Sequence, residues 1–592
     1  MLKVIQNKLW YSLNEEEKTA KLIDSARSNG DIFIPRSIIY NSQEYIITTI
    51  TGNSFGNSEI KTIQFPTDSG LKRIEKGAFK YQELESIILP SSLCELEDGW
   101  CVYTRKLTKI KLMPNNQHFM YLDDKILLGK TDQKSDIFDD LLFVRRDIEE
   151  VTIPSFIKRI APHAFSHSNI QSISIPPHIT QICEEAFYYC EGLQEVEFQA
   201  NSELQIIGKE SFSYSIIESI FIPPSVIQIC EGAFSNCDNI QKVEFSKDSK
   251  IQIIENEVFA GSSIESITIP SSVVELKDGW CIGTYKLTDV TIIPSNEQNF
   301  CYYDDKLILG KSDINSDNYD VLIFARRDII DVEIPTNIKR IAPFAFHEST
   351  VRNVFIPLHV TYIGDNAFSC CIQLDRFEVS NDSELQTIGE YAFSYSLVRY
   401  LSIPSCLLEF KKGIFAGTVG LNEINVIPTD KQNTCCYNKL ILGKTDAEND
   451  EYDVIFFANR DIKKAEIPLN IKRIGSHCFS ESLIERIDIP SAVTRIDDNA
   501  FTDCFLLRKV DISPDSQLQS IGKYAFSHTK IGSIFLPQHV KSIRLAFYAS
   551  FNLQIVEIDD KYVFQLIDYN DFKNSNANII IMIPHEGKTL LA

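Results

Sequence analysis

The sequence predicts an α/β-type repeat solenoid, in which short parallel strands stack and short helical or irregular returns connect them. Three observations lead to this prediction. A unit of the form I-x-x-I-x-I-P, followed further on by A-F-x-x-C, recurs through the chain and is clearest between Ile170 and Cys237. Successive units are mostly 21 to 25 residues apart, within the period of about 20–29 residues of solenoids with one short strand per repeat. Three related segments interrupt the units.

The aromatic residue of the A-F pair marks each unit. In chain order these positions are Phe55, Phe79, Trp100, Phe165, Phe187, Phe212, Phe234, Phe259, Trp280, Phe346, Phe368, Phe393, Phe415, Phe479, Phe501, Phe526 and Phe547. A single unit cannot bury its own apolar face, so neighbouring units must stack. We expect each Phe to fill the space between coils and the Ala before it to let a turn of helix pack closely.

Within a unit, the apolar residues predict where the strand lies. Ile173 and Ile175 alternate with polar residues, as in a short strand. Pro176 ends that strand because it has no N–H to donate to the ladder. The strand is therefore short, and the rest of the unit must return the chain to the next strand.

The unit I-x-I-P…I-x-x-x-A-F-x-x-C resembles the repeat of the BspA-like leucine-rich-repeat surface antigens of bacteria and parasitic protists. The resemblance covers nearly the whole chain. The unit departs from the general L-x-x-L-x-L-x-x-N-x-L pattern, since His178 stands where the Asn would be, after Pro176 and Pro177. The resemblance implies a leucine-rich-repeat fold and a surface-antigen or adhesion role.

The ends and the interruptions divide the chain. Residues 1–48 lack the A-F pair, and we predict a β-rich N-terminal cap there, with a hairpin formed by Trp10–Leu13 and Thr19–Ile23. The other predicted boundaries are repeat blocks at 49–118, 156–298, 337–432 and 470–550, hairpin insertions at 119–155, 299–336 and 433–469, and a C-terminal cap at 551–592.

Each interruption has two apolar runs around a polar, Asp-rich loop, which predicts an inserted β-hairpin. Gly-Lys-Thr or Gly-Lys-Ser occurs in each of them, at Gly129, Gly310 and Gly443. A phosphate-binding loop needs another Gly five residues earlier, and those positions hold Asp124, Asp305 and Asn438. We therefore interpret the Gly-Lys pair as part of a hairpin turn.

The loop from Asp313 to Asp320 has alternating oxygen-bearing side chains, like the start of a calcium loop. It lacks the Gly at the sixth position and the Glu at the twelfth, where Asn318 and Ala325 stand. A solvated hairpin tip and a weak calcium site both remain open.

Composition limits the classes of partner. The chain has 592 residues, with 58 basic and 81 acidic residues and a net charge of −23. This charge argues against nucleic acid or anionic lipid as a partner. No apolar run of about 18 residues predicts membrane insertion, and no H-E-x-x-H, C-x-x-C or G-x-S-x-G pattern occurs. We predict a protein partner, no enzymatic activity, no cofactor and no metal.

The fifteen cysteines are interpreted as buried, reduced thiols. Cys190, Cys237, Cys371 and Cys504 all stand three residues after the aromatic, a recurrent inward position. Cys190 and Cys237 are two coils apart, about 10 Å at strand spacing, which exceeds the limit of about 7 Å for a disulfide. Unpaired thiols favour a reducing compartment or an unoxidised surface.

The strand residue between the last two apolar positions points away from the core. At these positions the candidate partner-binding face carries Phe221, Phe355, Phe535, Glu197, Glu244, Glu378, Asp488, Asp511 and Glu557. Two interpretations remain open. The acidic residues keep the strands soluble while Phe covers its neighbours, or the Phe rings anchor a partner that the acidic residues steer.

Two functions follow. The first is a non-catalytic, protein-binding surface protein that presents an extended face to host matrix or a neighbouring cell. The alternative is an intracellular scaffold without surface display. The N-terminus has no apolar run or cleavage site typical of a signal peptide, which predicts a cytoplasmic location, whereas the resemblance predicts the cell surface.

Overall fold

The computed structural model describes the chain except for residues 1, 26, 57, 295–298, 408, 447, 449, 559–572, 576–579, 584–587 and 592. The chain divides into two compact units, Met1–Asn299 and Phe300–Ala592. In each unit parallel strands stack coil upon coil, so each unit is a β-solenoid.

Most coils contribute one long and one short strand, which belong to different sheets. The long strand Ser172–Ile175 buries Ile173 and Ile175 and turns its other residues outward. The short strand Gln181–Ile182 follows after a turn. The alternation predicted for the long strand is confirmed.

The long strands pair in parallel with the next coil, as Ser219–Ile222 does with Lys242–Phe245. In the first unit they are Glu59–Gln64, Ser86–Leu89, Lys109–Leu112, Ser172–Ile175, Glu195–Phe198, Ser219–Ile222, Lys242–Phe245, Ser266–Ile269 and Asp289–Ile292. In the second unit they are Asn353–Ile356, Arg376–Val379, Tyr400–Pro404, Glu423–Ile427, Lys464–Ala465, Arg486–Ile489, Lys509–Ile512, Ser533–Leu536 and Ile555–Ile558.

The short strands form a second parallel ladder, as Gln181–Ile182 does with Ile206–Ile207. In the first unit they are Arg73–Ile74, Glu95–Leu96, Arg159–Ile160, Gln181–Ile182, Ile206–Ile207, Gln228–Ile229, Ile253–Ile254 and Glu275–Leu276. In the second unit they are Arg340–Ile341, Tyr362–Ile363, Thr387–Ile388, Glu409–Phe410, Arg473–Ile474, Arg495–Ile496 and Ser520–Ile521.

The A-F aromatics form a column through the core of each block. Phe165, Phe187 and Phe212 are fully buried, and their neighbouring ring centroids are 4.5 Å and 4.9 Å apart in stacked geometry. Burial of a Phe side chain contributes about 1.5–3 kcal/mol, and a stacked pair adds about 0.5–1.5 kcal/mol. The prediction that these rings fill the space between coils is confirmed.

The predicted inward position of the cysteines is also confirmed. Cys190, Cys237, Cys371 and Cys504 are fully buried. The Cys190 thiol donates to the Phe165 carbonyl oxygen at 3.1 Å, and the other three make the same contact with the Phe one coil back. All fifteen cysteines lie among the described residues and are free thiols.

The returns between strands are not helical, and that part of the prediction is wrong: within the described residues no return contains a helix. Glu185 has a φ of 52°. This left-handed conformation makes successive N–H groups of the turn point in different directions. The Phe187 N–H therefore donates to the Ser211 carbonyl of the next coil at 2.7 Å, while the Ala186 N–H donates to Cys183 of its own coil. A helix would direct every amide along its own axis and remove the bonds between coils.

The three interruptions are meanders of three strands rather than hairpins inserted between coils. In the first meander, Ile126–Gly129 pairs antiparallel with both Met120–Leu122 and Asp140–Val144. Asp140–Val144 then pairs in parallel with the short strand Arg159–Ile160, so the meander belongs to the short-strand sheet. The sequence did not indicate Met120–Leu122 as a strand because it is short and half-buried.

The other two meanders repeat this arrangement. The second consists of Phe300–Tyr303, Leu307–Gly310 and Val321–Ala325, and the third of Thr434–Tyr437, Leu440–Gly443 and Val454–Ala458. In each, the last strand pairs in parallel with the short strand that follows it.

The predicted N-terminal hairpin is confirmed, since Leu9–Asn14 pairs antiparallel with Thr19–Asp24. Thr19–Asp24 pairs in parallel with Gln43–Ile50, which in turn pairs with the short strand Arg73–Ile74. The remaining strands of this region are Leu2–Gln6, Asn29–Phe33 and Ser37–Tyr40.

Much of the predicted C-terminal cap, 551–592, lies outside the described residues. Within it, Ile580–Ile583 pairs in parallel with Ile555–Ile558 and antiparallel with Lys588–Leu591. These strands belong to the same sheet as the long strand Ser533–Leu536.

Candidate interaction surface

The outward side chains of the long strands form what we call the long-strand face. In Ser219–Ile222 the pleat buries Ile220 and Ile222 and leaves Phe221 48% exposed. In Asn353–Ile356 the same position leaves Phe355 54% exposed. The strand geometry alone therefore places large aromatic rings in solvent.

Each of the three predicted Phe residues lies opposite a Glu on the next strand. The pairs in register are Phe221 with Glu244, Phe355 with Glu378, and Phe535 with Glu557. Phe535 differs from the other two because it is half-buried and packs against the core. Phe221 lies in the first unit, and Phe355 and Phe535 lie in separate sheets of the second.

Basic side chains accompany several of the predicted acidic residues. Arg486 contacts Asp488 at 3.2 Å and Asp511 at 2.9 Å, and Lys509 contacts Asp511 at 2.9 Å. Burial alone would raise the pKa of Asp511, but Lys509 and Arg486 hold it below its ordinary value. The same ion pairing joins Lys242 with Glu244 and Arg376 with Glu378. The sequence pattern predicted the acidic residues of this face but did not predict the basic residues beside them.

The remaining acidic residues lie in different surroundings. Glu197 is exposed and lies opposite Ser174. Glu557 is half-buried beside Phe535. The long-strand face therefore carries mixed charge rather than a continuous acidic surface.

A shallow recess of about 360 Å³ lies beside Phe355. Tyr400 lines this recess, and the Arg376 guanidinium stands over the Tyr400 ring, 4.0 Å from its centre. Ser402, which alternation predicts to point outward, is buried, and its hydroxyl accepts a hydrogen bond from the Val379 N–H at 2.9 Å. The backbone pairing between Arg376–Val379 and Tyr400–Pro404 ends at Phe377 and Leu401. Beyond that point the Ser402 hydroxyl, instead of a backbone carbonyl, accepts the hydrogen bond from the Val379 N–H.

An aromatic column on the turns of the first unit was not predicted. It consists of Tyr81, Tyr103, His167, Tyr189 and Tyr214, whose neighbouring ring centroids are 4.8, 5.4, 5.2 and 4.7 Å apart. All five residues have positive φ, a conformation that costs about 1–2 kcal/mol for a residue with a Cβ. The only signal in the sequence is an aromatic two or three residues after the A-F aromatic.

The Gly-Lys-Thr and Gly-Lys-Ser segments hold the meander loops closed. Both the N–H and the hydroxyl of Thr131 donate to Asp139, at 3.0 and 2.8 Å. Ser312 donates to Asp320 in the same way, with both bonds at 2.8 Å. The described residues contain no group of three or more side chains placed to hold a metal ion. Asp320 of the calcium-like loop thus has a structural partner.

A buried arginine after each meander was also missed. Arg146 donates to the carbonyl oxygens of Ala164 at 2.9 Å and His163 at 3.2 Å, and its guanidinium lies 4.3 Å from the centre of the Phe143 ring. Arg327 and Arg460 occupy the equivalent places in the second unit, and burial lowers the pKa of Arg460 to about 10. These arginines satisfy turn carbonyls where a meander meets the next coil.

The described part of the chain has no helix that is long and apolar enough to cross a bilayer. A family model for the BspA type leucine rich repeat region (6 copies) matches residues 36–122, 136–248, 198–305, 321–439 and 453–579. No curated protein matches the chain.

Several solved structures resemble the chain in fold. The pneumococcal vaccine antigen PcpA is 15% identical with a TM-score of 0.41, and the match covers 98% of each chain. A leucine rich cell surface protein from Faecalibacterium prausnitzii A2-165 is 15% identical with a TM-score of 0.31, over 96% of this chain and 98% of that one. A leucine-rich repeat protein from Bacteroides ovatus is 15% identical with a TM-score of 0.21, over 97% and 99%.

Proposed function

Because the chain belongs to the BspA-type leucine-rich-repeat family, we propose that it is a non-catalytic, protein-binding protein with a surface-antigen or adhesion role. The observation that supports a binding role is the exposure of Phe221 and Phe355 on the long-strand face. Exposed aromatic rings on a rigid sheet bury large apolar area at little entropic cost when a partner covers them.

We propose Phe221, Phe355 and Phe535 as the anchors of this face. The acidic residues proposed to surround them are Glu197, Glu244, Glu378, Asp488, Asp511 and Glu557. Because basic side chains pair with several of these carboxylates, we propose that they orient polar contacts at the rim. The partner would be a protein of host matrix or of a neighbouring cell. We also propose that the chain is organised as predicted, with repeat blocks between an N-terminal cap at 1–48 and a C-terminal cap at 551–592.

The alternative function is an intracellular scaffold that presents the same face. One observation favours it: all fifteen cysteines are free, and one of them, Cys436, is exposed. Exposed thiols persist in a reducing compartment. Labelling of intact cells with a membrane-impermeant reagent separates the two functions, because only a displayed protein is labelled.

The binding role is tested by replacing Phe221, Phe355 and Phe535 together with Ala. We expect loss of binding to the matrix or cell surface that the native protein binds, with the folded structure retained. A matched control replaces three exposed Phe residues that lie outside the long strands, Phe156, Phe505 and Phe551. Equal binding by the two triple variants would remove the long-strand face from consideration.

A further inference from the structure

The recess beside Phe355, which we call the Phe355 recess, lies at a break in a row of outward side chains. The row crosses four neighbouring long strands through Phe355, Glu378, Ser402 and Asn425. Phe355 and Asn425 are exposed and Glu378 is half-buried, but Ser402 is only 2% exposed. Because Ser402 does not stand out from the sheet, a space of about 360 Å³ remains between its neighbours. Small-molecule sites have volumes of about 300–1,000 Å³, so the recess can hold one small ligand or one unit of a larger one.

Two aromatic side chains line the Phe355 recess. The Phe355 ring is 54% exposed, so much of its surface is available to a ligand. The Tyr400 ring is half-buried, with the Arg376 guanidinium over it. The face of an aromatic ring carries partial negative charge and attracts weakly positive hydrogens. The carbon-bound hydrogens of a sugar ring are of this kind.

The polar side chains of the recess are mostly neutral and lack partners in the protein. The amides of Asn381 and Asn425 and the hydroxyl of Tyr400 make no side-chain hydrogen bond in the described part of the chain. An amide offers two N–H donors and a carbonyl acceptor, and a hydroxyl both donates and accepts. These groups therefore suit a ligand that carries several hydroxyl groups.

The recess offers no uncompensated charge to a ligand. Among the described residues that line it, Glu378 is the only charged one, and its Oε1 contacts Arg376 at 2.6 Å. A charged group is costly to bury unless an opposite charge pairs with it. A neutral ligand is therefore favoured over an ionic one.

The first unit has a matching arrangement of strands that lacks these features. There Phe221 lies opposite Glu244, and Lys242 pairs with Glu244 as Arg376 pairs with Glu378. The positions that correspond to Asn381, Tyr400, Ser402 and Asn425 hold Lys247, Ser266, Thr268 and Thr291. Thr268 is exposed, so the row of outward side chains continues without a break. The first unit thus provides an internal control.

We propose that the Phe355 recess binds a neutral saccharide unit of a glycan that the partner carries. The carbon-bound hydrogens of the sugar ring lie against Phe355. Its hydroxyl groups exchange hydrogen bonds with Asn381, Asn425 and the Glu378 oxygen that does not contact Arg376. This inference rests on the proposed function, because the recess belongs to the long-strand face and supplies the chemistry by which one of its anchors holds a partner.

The test is binding of the full-length protein to an array of immobilised oligosaccharides of defined sequence, with neutral, sialylated and sulfated forms displayed together. We expect saturable binding to a subset of the neutral oligosaccharides. Asn381→Ala with Asn425→Ala should weaken this binding about tenfold or more, because the hydrogen bonds of both amides are lost. Phe355→Ala should weaken it as well, because the sugar ring loses its aromatic contact.

The matched control is Lys247→Ala with Thr291→Ala, which changes the corresponding positions beside Phe221 and should leave oligosaccharide binding unchanged. Asn381 and Asn425 are exposed, so their double variant should fold, and circular dichroism verifies this. The proposal is overturned if no neutral oligosaccharide is bound, if only acidic forms are bound, or if binding survives in the folded double asparagine variant.

Binding to matrix or cells separates this proposal from the function on which it rests. If the native protein binds that surface equally well after glycosidases have removed its glycans, the partner is held through its polypeptide and this proposal alone fails. If the native protein binds neutral oligosaccharides but neither matrix nor cells, the adhesion function fails and the recess is a site for free saccharides.

Discussion

Two recesses, beside the first and the third meander, differ in the ion pairs that they contain. Charged residues that line the first, which we call the acidic recess, are Glu95, Asp98, Lys130, Asp140 and Arg159. Those that line the second, which we call the basic recess, include Lys412, Arg473, Arg495, Asp497 and Asp498. Arg159 in the acidic recess and Arg473 in the basic recess both belong to an I-K-R-I segment that follows a meander. Arg159 is shared by two carboxylates, whereas Arg473 shares one carboxylate with a second arginine. The same backbone thus supports opposite electrostatic surroundings.

This difference shows that the residues that stabilise the solenoid are distinct from those that set its surface charge. The buried Phe column is the same beside both recesses, with Phe165 stacked on Phe187 at 4.5 Å and Phe479 on Phe501 at 4.9 Å. Most of the charged residues that line the recesses are partly or fully exposed and lie outside this Phe column, whereas Asp140 and Asp497 are buried. Each recess is therefore free to acquire its own charge.

The largest effect is expected from breaking the core that both recesses share. Phe165→Ala and Phe479→Ala should each reduce local stability by about 3–5 kcal/mol, because each leaves a cavity between coils. Hydrogen exchange of the adjoining long strands measures this loss. Phe156→Ala, at a ring 45% exposed, is the control and should change stability by less than about 0.5 kcal/mol. A large loss beside one recess only would show that the two cores differ.

A smaller, pH-dependent effect is expected at Asp140 in the acidic recess. Burial raises its pKa to about 6, with Arg159 opposing the shift, above the value of about 3.9 for an unfolded Asp. The folded state then holds a proton that the unfolded state releases, so this contribution to stability is complete below about pH 4 and is lost as pH rises through about 6. Asp140→Asn should therefore stabilise the first unit by about 1–3 kcal/mol at pH 7 and by little at pH 4.

The contrasting variant is Asp497→Asn in the basic recess. It leaves Arg473 and Arg495 without their shared carboxylate, so it should destabilise the second unit at pH 7 rather than stabilise it. Urea unfolding at pH 4 and pH 7 compares the two variants. Changes of the same sign at pH 7 would contradict the difference in charge between the recesses.

The smallest effect on stability is expected from exchanging the charges themselves. Asp98→Lys and Lys412→Asp change partly exposed side chains, so each should alter stability by about 1 kcal/mol or less. A thermal melt of each variant measures this change. A large change in stability would indicate that these charges support the fold.

Much of the fold was accessible from the sequence because it depends on local repetition. The position of Phe187 in the core, the inward Cys190 and the outward Phe221 all follow from period and alternation. The failures lie where several backbone conformations suit the same residues. The A-F-x-x-C segment is compatible with a helical turn, and the alternating turn prevails because it gives Phe187 a backbone partner in the next coil.

The sequence by itself therefore determined the coil, the aromatic column and the outward position of the candidate anchors. Only the tertiary structure decided the three-stranded meanders, the basic partners on the long-strand face and the charge of the two recesses. Arg159 meets Asp98 from 61 residues away. A repeat pattern specifies what each coil buries, but an ion pair depends on which side chains stacking brings together from distant coils.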